Sequence, residues 1–296
     1  MGEFFALSCA LVWAFAVVLF RRSGESMPPL ALNLFRVAFS TGLFLVTLLV
    51  MRVPLVGQAP LSDYLQLAAS GIIAIALSDT LFHAALNRVG AGINAVVDTL
   101  YLPFTSLAAM AYLGERVDGW QVAGMLLVIG SVVVATRMDP PRGATRRTMV
   151  TGVLLGVASM ASLAVGVVLA KPVLADANVV WATTVRQVGA LAVLLPCAVF
   201  LPGRQARLAA LRPGPGWKHA IPGTVFGSYL ALMLWLAGMK YTAVARAAIL
   251  NQTSTIYVLI LATLMLGERF TRRTALAVGL ALAGVLLVLR PWSMTG

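Results

Sequence analysis

Five ionisable side chains lie inside stretches of the sequence that are otherwise apolar: Arg36, Asp79, His83, Asp98 and Arg186. A charged side chain at the centre of an isolated membrane helix costs at least ~2.5 kcal/mol, so such groups face the interior of a helix bundle and find partners there. Arginine fits carboxylates and phosphates, aspartate fits amines, and Asp or His side chains can relay protons. The chemistry that these residue types offer is ligand binding and proton transfer within a membrane.

The overall composition points to the same class of protein. Of 296 residues, 60% are hydrophobic and 11% charged, against roughly 45–50% and about 25% in soluble domains. The formal charge of +12 comes without a basic helix face or an aromatic stacking platform, so we expect no nucleic-acid partner. Cys9 and Cys197 lie in apolar runs, which leaves no disulfide framework. Asp79 and His83 are i, i+4 neighbours but too few for a metal site, and we expect no metal or cofactor.

Ten apolar stretches are bounded by charged or Gly/Pro-rich breaks. A hydrocarbon core of ~30 Å needs about 20 helical residues per crossing. The stretches lie at residues 4–20, 30–51, 65–87, 91–113, 119–136, 150–170, 178–201, 218–239, 245–266 and 274–289. They predict an all-α polytopic membrane protein with ten transmembrane helices. Such a protein is embedded in the lipid bilayer, which is therefore a predicted partner.

The two halves of the chain resemble each other. Leu-Gly-Glu-Arg occurs at residues 113–116 and again at 266–269, and Arg36 in the second helix matches Arg186 in the seventh. Five helices per half is an odd number, so the second half enters the membrane from the opposite side. Inverted repeats of this kind place a binding site near the midplane between the halves. The predicted domains are a first repeat at 1–136, a polar linker at 137–149 and a second repeat at 150–296.

Two five-helix repeats, each with an Arg in its second helix and Leu-Gly-Glu closing its fourth, resemble the EamA-type branch of the drug/metabolite transporter superfamily. The likeness covers nearly the whole chain. It implies a secondary transporter that moves small organic metabolites or drugs, often outward. It also implies that helices one to four and six to nine surround a central cavity, with helices five and ten at the periphery. It implies no particular substrate.

The distribution of basic residues predicts the orientation in the membrane. Loops after odd-numbered helices hold fourteen Lys and Arg residues, whereas the other loops and the termini hold six. The positive-inside rule places the odd loops in the cytoplasm and both termini outside. The family resemblance implies termini in the cytoplasm instead. Nineteen Arg against three Lys indicate a GC-rich bacterial source, so we expect the protein in the bacterial inner membrane.

The candidate proton-coupling residues are Asp79, His83 and Asp98, which we expect at a similar depth to Arg36 in one polar layer. Their counterparts in the second half are Leu232, Leu236 and Asn251, so every intramembrane acid belongs to the first half. One interpretation is that Asp79 or Asp98 takes up and releases a proton as its arginine partner changes. The other is that Arg36 and the aspartates form a permanent structural lock.

The candidate substrate and cavity residues are the polar and aromatic side chains Trp13, Arg36, Thr99, Tyr101, Arg186, Gln252 and Thr255. Aromatic walls with a few hydrogen-bonding groups suit an amphipathic small molecule. Interhelical hydrogen bonds and interfacial anchors are the alternative roles for the uncharged members.

Two helices carry features that bear on motion and assembly. Pro103 predicts a kink in the middle of helix four, because it leaves the Thr99 carbonyl without its helical partner. The kink is either a gate or a bend that neighbouring helices accommodate. Ala275, Gly279 and Ala283, with Gly284 adjacent, form a small-residue face on helix ten, which serves packing within the bundle or a homodimer.

The sequence therefore predicts a secondary active transporter of small organic solutes, amino-acid-like or amphipathic, that exports its substrate with proton coupling by alternating access. A flippase of a lipid-linked carrier is an alternative on the same scaffold. A membrane enzyme would need a nucleophile with its base or clustered metal ligands, and no such motif occurs in the sequence.

Overall fold

The computed structural model describes residues 2–114, 117–136, 144–241 and 250–288, and all regular structure within them is helical. In these residues, six stretches are long and apolar enough to cross a bilayer. Large apolar side chains such as Leu49 and Phe200 are 78% and 84% exposed on the outside of the bundle, as expected for surfaces that contact lipid. The all-α class and the membrane-spanning character expected from composition are confirmed.

The first half contains six α-helices and one π-helical segment. They are α1 (Gly2–Ser23), α2 (Pro29–Val50), α3 (Leu61–Gly71), the π-helical segment Ile72–Leu77, α4 (Ser78–Asp98), α5 (Tyr101–Leu113) and α6 (Gly119–Thr136).

The second half contains seven described α-helices and a second π-helical segment. They are α7 (Arg146–Asp176), α8 (Val179–Phe200), the short α9 (Arg204–Ala210), α10 (Trp217–Gly223), the π-helical segment Thr224–Leu230, α11 (Ala231–Tyr241), α12 (Ser254–Leu266) and α13 (Arg272–Val288). Residues 137–143 of the predicted linker lie outside the described residues, as do Glu115 and Arg116 of the first Leu-Gly-Glu-Arg.

The π-helical segment Ile72–Leu77 is held by a side chain from α2. Asn33 Nδ2 donates to the carbonyl oxygens of Ile75 (2.8 Å) and Ala76 (3.3 Å) and to Thr80 Oγ1 (2.9 Å). A π-helical turn alters the regular backbone ladder, and Asn33 supplies a donor to the carbonyls there. Hydrophobic periodicity does not reveal such a segment, so it was not predicted.

The two halves interlock through close helix contacts. Ser78 on α4 and Ser159 on α7 exchange hydrogen bonds, each hydroxyl donating to the other's carbonyl at 2.8 and 2.9 Å. On α3, Ser70 Oγ donates to the Gly166 carbonyl of α7 at 2.6 Å. At Gly71 the backbone of α3 crosses α8 so closely that a Cβ would overlap the Arg186 carbonyl oxygen. These contacts place α3 and α4 of the first half directly against α7 and α8 of the second.

Two breaks interrupt this part of the chain, and one of them lies in the turn before Pro103, where a kink was predicted. Gly90, with φ 81° and ψ 173°, interrupts α4, and a second break at Thr99–Leu100 separates α4 from α5. Pro103 lies in the first turn of α5, where no backbone donor is needed. The Thr99 carbonyl accepts from Leu102 N at 3.3 Å, so the expectation of an unpartnered carbonyl was wrong. A turn also precedes α12, whose corresponding residue is Ile256, so such a break does not require proline.

At the periphery, α6 and α13 pack through glycines. A Cβ at Gly124 or Gly284 would lie 2.6 Å from the other residue's carbonyl oxygen. Of the predicted small-residue face, Gly284 makes this contact, whereas Ala275, Gly279 and Ala283 are exposed and take no part in it. Packing within the bundle therefore uses the Gly284 edge of that face, and the homodimer stays a prediction.

Candidate functional site

Arg36 lies at the junction of three helical segments from both halves. Its Nη2 forms an ion pair with Asp79 Oδ2 of α4 and donates to Asn33 Oδ1 at 3.0 Å. Its Nη1 donates to Ser228 Oγ at 3.0 Å, in the π-helical segment of the second half. The guanidinium carbon lies 5.9 Å from the centre of the Phe20 ring. Side-chain exposure is 9% for Arg36 and 22% for Asp79, so the charge of Arg36 is neutralised inside the bundle.

Asp98, the last residue of α4, does not join this pair. Asn94 Nδ2 donates to both of its carboxylate oxygens, at 3.2 and 3.3 Å. Among the described residues no cation lies within ion-pair distance of Asp98. The buried oxygens Asn94 Oδ1 and Asn251 Oδ1 likewise have no hydrogen-bond partner in the described chain. The single polar layer that the sequence predicted is therefore divided into two groups. One is the ion pair of Arg36 and Asp79, and the other is the hydrogen-bonded pair of Asp98 and Asn94.

His83 lies one turn after Asp79 in an aromatic environment. It is 1% exposed and packs edge-on against Phe20 and Phe82, with ring centres 5.2 and 5.4 Å away. Neither ring nitrogen has a hydrogen-bond partner within the described residues. His83 thus adjoins the Arg36–Asp79 pair without a direct hydrogen bond to Asp79.

Arg186 is the second intramembrane arginine, and its surroundings differ from those of Arg36. Its Nε donates to Ser70 Oγ at 3.0 Å, and the same hydroxyl donates to the Gly166 carbonyl. The Arg186 charge interacts electrostatically with Tyr101 and Asp79. In the part of the chain that the structure describes, no carboxylate forms an ion pair with Arg186 and no hydrogen bond engages its Nη groups. Arg186 is thus held through Nε alone in the described residues.

The remaining candidates are the other predicted cavity residues and the predicted kink residue Pro103, and they differ in burial. Trp13 is partly buried, with its ring centre 6.1 Å from that of Phe82, and Tyr101 is partly buried against the core. Thr99 is fully buried and its Oγ1 donates to the Val96 carbonyl at 2.6 Å, within its own helix. The others are Gln252, which is partly buried, and Thr255 and Pro103, which are buried.

Two polar residues near the arginines, Asn33 and Ser70, were missed by sequence reasoning. Asn33 binds both Arg36 and the π-helical segment, and Ser70 holds Arg186. Gln187 Oε1 accepts hydrogen bonds from Ser40 (2.7 Å) and Thr41 (3.2 Å) on α2, linking the two halves. The i, i+3 spacing of Asn33 and Arg36 on one helix face is a signal that could have identified Asn33.

Comparisons with known proteins agree with this architecture. The model of the EamA-like transporter family matches residues 1–137 and 150–290. An uncharacterized transporter of Archaeoglobus fulgidus is 22% identical over 282 residues, which cover 94% of this chain and 95% of that protein. One crystal structure shares the fold, with a TM-score of 0.67 at 18% identity over 97% of this chain and 95% of the other. The chain therefore belongs to the EamA-like transporter family.

Proposed function

We propose that this membrane transporter is a proton-coupled secondary exporter of small organic solutes, working by alternating access around a cavity between its two halves. The observation that carries the proposal is that the intramembrane charged groups differ in their partners. Arg36 and Asp79 neutralise each other, whereas Asp98 has no cation beside it in the described chain. A transporter needs groups whose partner is supplied by the transported species, and Asp98 and Arg186 fit that description.

Asp98 is the proposed proton-coupling acid. A carboxylate without a cationic partner is costly at membrane depth, so it favours binding a proton or an ammonium group. Asn94 donates to either carboxylate oxygen and so orients the group in its charged form. Asp79 is the weaker candidate, because a proton must there compete with the guanidinium of Arg36. His83 lies beside the Arg36–Asp79 pair, with Phe20 and Phe82 packed against its ring.

Arg186 is the proposed recognition group for an acidic substrate. Its guanidinium presents two Nη groups that match the two oxygens of a carboxylate. Tyr101 and Trp13 supply aromatic walls, which suits an amphipathic solute such as an amino acid. Gln252 and Thr255 of the second half complete the proposed cavity.

We also propose ten membrane crossings in two inverted five-helix repeats. Gly114 and Gly267 both end a helix in the left-handed conformation, with φ of 69° and 66°. A π-helical segment follows α3 in the first half and α10 in the second. Matching irregularities about 150 residues apart support a repeat. We place the protein in a bacterial inner membrane, with the loops after odd-numbered helices in the cytoplasm and both termini outside. Reporter fusions at Gly296 test this orientation, since a cytoplasmic signal there would contradict it.

The decisive experiment is flux in proteoliposomes under an imposed pH gradient, with a panel of amino acids and other small metabolites. Asp98→Asn is expected to lower gradient-driven flux more than tenfold while preserving exchange of substrate across the membrane without a gradient. The matched control is Asp63→Asn, which removes a carboxylate from the exposed start of α3. Full gradient-driven flux in Asp98→Asn would refute the coupling role. Flux restricted to lipid-linked compounds would favour a flippase instead.

A further inference from the structure

The second Leu-Gly-Glu occurs at a sharply defined helix end. The helix α12 ends at Leu266, and Gly267 adopts φ 66°, a left-handed conformation that glycine enters at little cost. The Glu268 amide then donates back to the Ala262 carbonyl at 3.2 Å. This reversal turns the chain at the end of α12, so that the Glu268 side chain reaches the first half of the protein.

The Glu268 carboxylate binds two backbone amides of α4. Its Oε1 accepts from Ala91 N at 2.7 Å and its Oε2 accepts from Gly92 N at 2.8 Å. The break at Gly90 makes these amides the start of a new helical run, where N–H groups have no intrahelical partner. A negative charge is favourable at this end of a helix. The second half therefore supplies the cap for a helical run in the first.

Two glycines make room for this cap. A Cβ at Gly90 would lie 2.6 Å from Glu268 Oε1, and a Cβ at Gly92 would lie 3.1 Å from Oε2. Gly90 also has φ 81°, a backbone conformation that residues other than glycine rarely adopt. Two separate sequence features, Gly-Ala-Gly and Leu-Gly-Glu, thus fit one another across the interface between the halves.

A second bond ties the same end of α12 to α1. Arg22 Nη2, in the last turn of α1, donates to the Met265 carbonyl at 2.7 Å. One residue further, Ser23 Oγ donates to the Gly216 carbonyl at 3.3 Å, just before α10. The helix ends that carry Arg22, Gly90 and Glu268 therefore meet at one face of the bundle, which we call the clamp face.

We propose that Glu268 is a positioning residue, a releasable clamp that closes the clamp face and fixes the segment 91–98. This segment carries Asn94 and Asp98, so the clamp also sets the position of the proposed coupling acid. The two bonds are made to backbone amides at a glycine break, and their release lets the segment separate from α12 and admit water from the clamp face. The clamp rests on the family's transport function, but its test needs no substrate.

The test is side-specific labelling of a reporter cysteine, Asn94→Cys, in a background of Cys9→Ser and Cys197→Ser. An impermeant maleimide is applied from each side of oriented vesicles. Separate labelling of Glu25→Cys, at an exposed position after α1, identifies the clamp face. Glu268→Gln is expected to raise the labelling rate from the clamp face about tenfold and leave the rate from the opposite face unchanged or lower. Tenfold corresponds to ~1.4 kcal/mol, which is within reach of two hydrogen bonds to a charged group.

Two controls separate a clamp from a general loss of stability. Glu25→Gln removes another carboxylate near the clamp face and is expected to change nothing. Gly92→Ala places a methyl group against the Glu268 carboxylate and is expected to act like Glu268→Gln, whereas Gly42→Ala, with open space at its Cβ, is not. An equal rise from both faces, or no rise in Glu268→Gln and Gly92→Ala, would overturn the proposal. Because labelling requires no flux, its outcome is independent of the proposed substrate and of proton coupling.

Discussion

Removing the Arg36–Asp79 pair, one partner at a time and then together, distinguishes a structural lock from a working element. Loss of one partner from a buried pair costs ~3–5 kcal/mol, mostly because the other charge is left unpaired. Asp79 is 22% exposed, so its carboxylate is only partly desolvated, and Arg36→Gln is expected to cost about 2–3 kcal/mol. Arg36 is 9% exposed but keeps Asn33 and Ser228, so we expect Asp79→Asn to cost about 3 kcal/mol.

The double variant removes both charges and is expected to cost little more than either single change. The resulting coupling energy is then about 2 kcal/mol. Unfolding of the purified protein in detergent, followed by helical circular dichroism, measures all four corners of the cycle. Additive costs, with coupling under about 0.5 kcal/mol, would refute the reasoning that the charges stabilise each other.

Flux through the folded double variant then assigns the role of the pair. A permanent lock contributes only stability, so the double variant is expected to retain gradient-driven flux once its lower stability is accommodated. If the pair breaks and re-forms in each cycle, a folded double variant loses that flux. The unequal partners of Asp79 and Asp98 favour the first outcome, because Asp98 offers the cycle an acid that needs no ion pair to be broken.

Two glycine substitutions test the close helix crossings. Gly71→Ala is expected to separate α3 from α8, displace Arg186 and cost at least about 2 kcal/mol of unfolding free energy, whereas Gly42→Ala, with open space at its Cβ, is expected to be neutral or stabilising. Gly284→Ala is expected to lower the thermal midpoint by separating α13 from α6, and Gly279→Ala, on the exposed face of α13, is the control. Equal effects within either pair would contradict the crossings described.

Most of the fold that could be predicted from the sequence was predicted from its long apolar stretches. The predicted stretches 30–51, 119–136 and 178–201 agree within a residue with α2, α6 and α8. Burial in lipid requires continuous hydrophobic length, which is directly readable. The π-helical segments were not predicted, because they depend on donors supplied by other helices, such as Asn33. The break at Gly90 lies in the gap between the predicted stretches 65–87 and 91–113.

The candidate site was predicted in its residue types but not in its pairing. Estimating depth along each helix correctly grouped Arg36 with Asp79, since ion pairing requires similar depth. It could not separate Asp98 from that group, because residues at one depth can still point to different sides of a bundle. The polar partners Ser70 and Ser228 are single uncharged residues, which carry no distinctive sequence signal in apolar helices.

The segment 91–98 connects the membrane face to the proposed acid. Glu268 holds its first two amides, and Asp98 stands at its last position, about 10 Å further along at 1.5 Å per residue. Breaks at Gly90 and at Thr99–Leu100 bound the segment at both ends. A short rigid helix between two breaks moves as a unit, so a change of ligand or charge at Asp98 and release at Glu268 act on the same body. Because the second half has Asn251 in place of Asp98, the proposed proton coupling assigns this role to the first repeat alone.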